Sequence, residues 1–295
     1  MKLVSYQSDD EWRAGAVLGS TVYDVDVALL GSGMPGLAPR ATLRELLCRY
    51  GGALEEVAAS VRRAVAELPN ARVGDVGDLR LGPPIGDPGK VLCIGLNYQD
   101  HVAETGRALP AHPDVFAKFA STLIGPRDEI RCSHITDALD FEGELAVVIG
   151  REGRDVEPPA ALDLVAGLMV LNDITARDLQ YRGTQWLAGK AVDGSTPCGP
   201  ALVTLDEVGD PQNLELVTRV NGVQVQGSNT KHMIFTIAEL ISYVSRFLTL
   251  SPGDIISTGT PEGIGSKRNP PLWLRPGDTV EVEIERVGHL RNVVR

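Results

Sequence analysis

Residues 1–30 alternate short apolar and polar runs (KLVSY, GAVLG, TVYDVDVAL), the period-two pattern of a small strand-rich unit. Helical spacing follows. Thr42 and Glu45 stand in capping-box register before Leu43, Leu46 and Leu47, and apolar residues recur at helical intervals from Leu54 to Leu68. The segment DLRLGPPIGDPGK is dense in Gly and Pro. It marks a boundary between a small N-terminal domain, residues 1–80, and a main body, residues 90–295.

In the main body, KVLCIG, ELAVVIG, LVAGLMVL, ALVTL, LELVTRVNGVQV, DIISTG and TVEVEI are short, β-branched and closed by Gly, Pro or Asp, which predicts strands. Pro252-Gly253-Asp254 and Pro276-Gly277-Asp278 place proline and glycine at the second and third positions of type II turns. One strong helix interrupts the strands. Thr236 and Glu239 form a second capping box, and Ile237, Leu240, Ile241, Val244 and Leu248 share one face. The regular βαβ alternation of a doubly wound sheet is missing, so the body is mixed and β-dominated.

Composition narrows the class of partner. The chain has 295 residues, long enough to bury a core without disulfides or a structural metal. Its net charge of −11 argues against nucleic acid and anionic membranes, which both require a positive field. Cys48, Cys93, Cys132 and Cys198 are scattered without metal-ligand spacing and read as free thiols of a reducing compartment. No signal-like stretch opens the sequence, and no run approaches the roughly 20 apolar residues of a membrane span. A soluble, cytoplasmic protein is expected.

Several stretches carry candidate chemistry. In Asp140-Phe141-Glu142-Gly143-Glu144 the two glutamates lie two apart, on one face if the segment is a strand. A hard cation between them would relieve both their repulsion and their desolvation, although an isolated pair equally suits a solvated strand edge. Asp173 closes the apolar run Leu168–Leu171 and is either a cap or a third oxygen ligand; Arg177 and Gln180 follow near the same face if the next turn is helical. His101 and Glu104, at i and i+3, can form a pair in which the carboxylate orients the imidazole as a general base. Lys190 follows Gly189 in a polar loop, within reach of a substrate carboxylate or oxyanion. The turn Ser257-Thr258-Gly259-Thr260 offers the backbone amides around Gly259 and the Thr260 hydroxyl to an anion.

Taken in order, GLNYQDHVAE, DFEGELAVVIG, NDITARDLQ, QWLAGK with Pro197 and Gly199-Pro200, and PGDIISTGTPEGIG resemble the fumarylacetoacetate hydrolase (FAH) family across residues 90 to about 285. The resemblance implies an α+β fold, a mixed β-sandwich roll of the FAH type with a small N-terminal α/β domain, and a homodimer. It places metal carboxylates on Glu142, Glu144 and Asp173. The water-activating pair falls on His101 and Glu104, with catalytic Lys190, and the substrate contacts fall on Arg177, Gln180, Gly259 and Thr260. All-oxygen ligation favours Mg²⁺, with Mn²⁺ or Ca²⁺ as alternatives. Some larger members add a carboxylate ahead of the histidine, which KVLCIGLNY lacks. Two departures bear on the substrate. Ala191-Val192-Asp193-Gly194-Ser195 stands where similar members often carry aromatic residues, which implies a roomier or reshaped pocket. Glu262 replaces a usually small residue, and either points to solvent or repels a second substrate carboxylate.

The activity so implied is metal-dependent hydrolysis of a C–C bond in a 1,3-dicarbonyl acid of the acylpyruvate type, a small oxo acid. Decarboxylation of an oxaloacetate-like acid, or isomerisation of an unsaturated diacid at the same site, is the alternative. A non-catalytic metal- and ligand-binding scaffold is a further one, which the His101–Glu104 pair argues against, because binding alone needs no general base.

Overall fold

The computed structural model of the chain describes residues 1–37, 41–131 and 133–295. The N-terminal runs form the strands Lys2–Ser8, Glu11–Leu18 and Thr21–Asp24, but the third ends sooner than its alternation suggests. There the Asp24 carboxylate accepts the Val27 amide and caps a helix over Val25–Gly31. Both capping boxes form, opening the helices Leu43–Tyr50 and Ile237–Ser245. Both Pro-Gly-Asp turns close as predicted: the Asp254 amide donates to Ser251 O at 3.0 Å, and the Asp278 amide to Arg275 O at 2.9 Å.

The N-terminal meander does not stand apart from the rest of the chain. Leu3 pairs with Leu202 on the strand Thr196–Val203, and the sheet continues through Val165–Asn172, Gly143–Ile149, Ile255–Ser257, Val91–Gly95 and Asp114–Lys118. Gly143–Ile149 is buried on both faces, as its unbroken apolar run requires. Leu145, Val147 and Ile149 enter one core, and Ala146 and Val148 the other. The first core lies under the helix Ile237–Ser245 and an antiparallel sheet of Glu215–Val220, Val223–Asn229, Thr279–Ile284 and Gly288–Val293. The second lies under Val25–Gly31, Leu43–Tyr50 and Leu54–Glu67. The architecture is the mixed α+β arrangement that the sequence predicts.

Two features of this packing position the site. Just past Asp114–Lys118, the short strand Leu123–Ile124 pairs in parallel with Thr196–Val203, so the edge of the large sheet curls back across its middle. The two sheets close tightly at Gly143. A Cβ there would stand 2.3 Å from Thr218 Oγ1, so only glycine fits at the start of the strand that carries Glu144.

Replacing Thr236 by Ala removes one half of a capping box and should cost about 1 kcal/mol. Leu240→Ala, in the fully packed face of the same helix, should cost roughly 2–5 kcal/mol. Urea denaturation of the two variants checks both values, and an equal loss in the two would mean that the helix is not held by its buried face.

Candidate active site and metal centre

Four segments reach one end of the large sheet: the start of Gly143–Ile149, the end of its antiparallel neighbour Val165–Asn172, and the ends of the parallel pair Ile255–Ser257 and Val91–Gly95. Their continuations bring Glu142, Glu144 and Asp173 together, with one carboxylate oxygen of each lying within 4.8 Å of the others. All three are buried. Asp173 therefore acts as neither a turn residue nor a helix cap. Its amide donates to Glu142 O at 2.8 Å, and the Glu142 amide donates to Asn172 Oδ1 at 3.0 Å, which pins the two segments to each other.

Three cations are buried among these carboxylates. Lys190 Nζ lies 2.7 Å from both Glu142 Oε2 and Asp173 Oδ2. Lys118 Nζ donates to Asp173 Oδ1 at 2.6 Å. Arg177 Nε donates to Asp140 Oδ2 at 2.8 Å, its Nη1 donates to Gln180 Oε1 at 3.0 Å, and its Nη2 lies 2.6 Å from Glu142 Oε1. That last contact is an ion pair without hydrogen-bond alignment, so Nη2 stays a buried donor with no aligned acceptor. Lys118 and Asp140 are buried members of this cluster to which the sequence reading gave no role. The available signal for Lys118 is a lysine closing the apolar run Val115-Phe116-Ala117. Asp140 shows its role only in three dimensions, where it accepts the amides of Phe141, Gly265 and Ser266.

The charges sort the glutamates. Burial alone would raise the pKa of Glu142, but Lys190 and Arg177 outweigh it and hold this carboxyl below its ordinary value. Glu144 has no such partner. Burial, reinforced by the negative charges of Asp173 and Glu142, pushes it up to about 8. Ser257 Oγ and the Gly259 amide both donate to its Oε2, at 2.6 and 3.0 Å. Oε1 is left to carry the proton or to meet a cation. Burial would lower the pKa of Lys190, yet Asp173 and Glu142 keep it above the ordinary lysine value.

A cavity of about 360 Å³ opens onto this cluster. His101, Glu142, Glu144, Arg177, Gln180, Lys190 and Thr260 all line it; Asp173, Glu104 and Gly259 stand behind its wall. On the helix Gln99–Thr105, His101 Nδ1 meets Glu104 Oε2 at 3.2 Å, and the Gly263 amide donates to Glu104 Oε1 at 2.9 Å. Thr260 Oγ1 donates to Gly143 O and accepts from Gln226 Nε2. Gly259 departs from the expected anion contact, because its amide is already taken by Glu144. Its φ of +100° suits glycine, and a Cβ would lie 2.9 Å from the Asn97 Cβ. None of Ala191–Ser195 lines the cavity; its aromatic wall is Phe116, Tyr181 and Trp186. Glu262 is exposed and lies outside the lining. Cys48, Cys93 and Cys198 are free thiols, while Cys132 lies outside the described residues.

The donor set suits a divalent cation. It is all oxygen, it converges, and one member is held protonated by the crowding that a cation would relieve.

The family described as "Fumarylacetoacetate (FAA) hydrolase C-terminal" matches residues 90–295. The oxaloacetate tautomerase fahd2, mitochondrial, of Xenopus laevis is 40% identical over 299 residues, covering 100% of this chain and 90% of that protein. The fumarylacetoacetate hydrolase of Exiguobacterium antarcticum superposes with a TM-score of 0.84 at 38% identity, covering 100% of this chain and 99% of the other. A maleylpyruvate hydrolase of Sphingobium sp. SYK-6, solved with manganese(II) and pyruvate, gives a TM-score of 0.79 at 29% identity and covers 100% and 98%. The chain belongs to the fumarylacetoacetate hydrolase family and is an enzyme of that family. No helix among the described residues is long and apolar enough to cross a membrane.

The raised Glu144 pKa has a sign that can be measured. In the metal-free protein the folded state holds this proton more tightly than the unfolded chain, whose carboxyl titrates near ~4.3. Stability should therefore fall as the pH climbs from about 4.3 to about 8, and Glu144→Gln should flatten that slope. Divalent-metal affinity should rise about tenfold per pH unit below 8, with release of one proton. Calorimetry in buffers of different ionisation enthalpy reads that proton directly.

Proposed function

We propose that this chain is a divalent-metal-dependent enzyme that moves a proton at the carbon beside the carbonyl of an oxaloacetate-type 2-oxo acid, interconverting its keto and enol forms. The observation that carries the reading is the oriented base: a buried His101, held by a carboxylate that is itself fixed by a backbone amide, lining the same cavity as the carboxylate cluster. The likeness to the named tautomerase over the whole chain supports it.

Glu142, Glu144 and Asp173 would hold the cation, with Mg²⁺ as the preferred ion and Mn²⁺ or Ca²⁺ as alternatives. When bound, the cation supplies Lewis-acid polarisation and a template for the carboxylate and 2-oxo oxygens of the substrate. Glu104, accepting at Nδ1, selects the tautomer in which Nε2 of His101 carries the lone pair. Nε2 would then take the proton from carbon and pass it to the substrate oxygen in one direction, and carry it from that oxygen back to carbon in the other. Negative charge gathers on the substrate oxygen during that transfer. Lys190 and the unaligned Nη2 of Arg177 would be the cations that face it, and the amide NH₂ of Gln180, whose carbonyl is engaged by Arg177, would add a neutral donor.

Hydrolysis of a C–C bond in an acylpyruvate-type acid is the second reading. The same His101 can deprotonate water, and the cavity has room for one water, about 30 Å³ of liquid volume, beside a small oxo acid. The likeness to a maleylpyruvate hydrolase favours it. Decarboxylation of an oxaloacetate-like acid would draw on the same cations. The free thiols support a reducing, cytoplasmic setting, and the homodimer implied by the resemblance belongs to the same proposal.

Enolic oxaloacetate and a set of acylpyruvates, each with Mg²⁺, with Mn²⁺ and with chelator, separate these readings. Ultraviolet loss of the enol with an intact carbon skeleton supports tautomerisation, whereas two fragments by mass spectrometry mean hydrolysis and CO₂ release means decarboxylation. His101→Asn should lower turnover by about 10²–10⁴-fold. Metal-independent turnover, or an undiminished His101→Asn variant, would overturn the assignment.

A further inference from the structure

Asp140 does not line the cavity and is not one of the three carboxylates that converge, yet it is fully buried beside them. Its Oδ1 accepts the Phe141 amide at 2.9 Å and the Gly265 amide at 2.7 Å. Its Oδ2 accepts the Ser266 amide at 3.0 Å and Arg177 Nε at 2.8 Å. Donors thus fill all the acceptor sites of a carboxylate.

Those donors belong to opposite sides of the site. The backbone of Asp140 pairs with Thr175, and the Arg177 amide donates to Ala138 O at 3.0 Å, so the segment carrying Arg177 is laced to the segment carrying Asp140. Gly265 and Ser266 belong to the loop that follows Thr260. Two residues before Gly265, the Gly263 amide donates to Glu104 Oε1 at 2.9 Å, and Glu104 Oε2 meets His101 Nδ1 at 3.2 Å. Gly263 has a φ of +95°, and a Cβ there would stand 2.2 Å from Val225 O, so a side chain would force this turn open. One line of contacts therefore runs from Arg177 through Asp140 and the loop to the imidazole. The helix that bears His101 is anchored separately. Asn97, fully buried just ahead of it, donates to Thr258 O at 2.8 Å and to Phe235 O at 3.0 Å, and accepts the Phe235 amide at 2.8 Å. What the loop governs is the carboxylate arm and the orientation of the ring, not the place of the helix.

We propose that Asp140 is a positioning residue that holds Arg177 and the His101–Glu104 pair in register, so that the group moving the proton and the cation facing the developing charge stay fixed relative to each other. The proposal rests on the proton-moving role given to His101 above and adds the part that ties the two sides of the cavity together. Displacing a reacting group by about 1 Å costs on the order of 10²-fold in rate, so a carboxylate outside the cavity can govern turnover. A purely structural ion pair would bear on stability alone.

Asp140→Asn keeps the shape but turns an NH₂ toward two of the four donors. The decisive readout is the tautomer of His101, by ¹⁵N NMR of histidine-labelled protein at about pH 8.5, where imidazole is neutral. His101→Asn identifies its signals. Wild type should carry the proton on Nδ1, facing Glu104, and Asp140→Asn should show the two tautomers mixed. With enolic oxaloacetate and Mg²⁺, kcat should fall by about 10²-fold while KM changes by less than about threefold. In a Glu104→Gln background the same replacement should cost at most about tenfold, because the two changes share one path. Ser266→Pro removes one loop amide from Asp140 and no side-chain bond, since the Ser266 hydroxyl has no partner among the described residues. It should shift the tautomer in the same direction, and it carries the test should Asp140→Asn fail to fold. An unchanged His101 tautomer in the folded variants would overturn the proposal, and would mean that Arg268, which donates to Gly263 O at 3.1 Å, holds the loop unaided. If wild type turns over no 2-oxo acid, the reaction assigned to the site fails, whereas the tautomer still decides the role of Asp140.

Discussion

Everything at the centre of this protein follows from the cost of placing charge in a dry interior. Four carboxyl groups and three cations occupy one buried volume, and each is tolerable only because of its neighbours. Lys190 bridges two carboxylates, Lys118 secures the far oxygen of one, and Arg177 joins two others. Glu144, lacking a cation, keeps its proton. The cluster is left one positive charge short of full ionisation.

The fold delivers these groups by ordinary means. Antiparallel pairing sets Gly143 against Asn172, so the residues flanking them emerge side by side. The parallel pairing of Ile255–Ser257 with Val91–Gly95 sends both of their following loops to the same end, one carrying Thr260 and the other His101. Tight closure at Gly143 brings the second sheet close enough for Gln226 to hold both the Gly143 amide and the Thr260 hydroxyl. The chemistry is assembled from strand ends, where side chains can project while the backbone stays hydrogen-bonded.

Much of this was legible in the sequence wherever the information is local. Capping boxes, Pro-Gly-Asp turns and the strand Gly143–Ile149 are written in neighbouring residues, and they form as read. The helix after Asp24 was not legible, because Val25 and Val27 fit a strand until a side-chain cap decides otherwise. At the site, the acidic residues and the His101–Glu104 pair could be named from spacing and from family resemblance. Lys118 could not, since its partner lies 55 positions away and only the curl of the sheet edge brings them together. The partner of the Gly259 amide could not be read for a related reason: which acceptor a backbone amide finds depends on the fold of the loop, and here it is Glu144.

The junction between Lys2–Ser8 and Thr196–Val203 has a bearing on how the chain can be divided. Residues 1–80 supply the strand that seals one border of Thr196–Val203 and the helices that roof the second core. Cutting the protein in the Gly- and Pro-rich segment, where its composition invites a cut, would strip that border and uncover the apolar side chains of Leu171, Leu202 and Ile255. Such a bare ladder of unpaired amides and carbonyls is a template for self-association. Although the family match starts at residue 90, a fragment beginning there would carry the whole carboxylate cluster and its cations and still be a poor protein to handle.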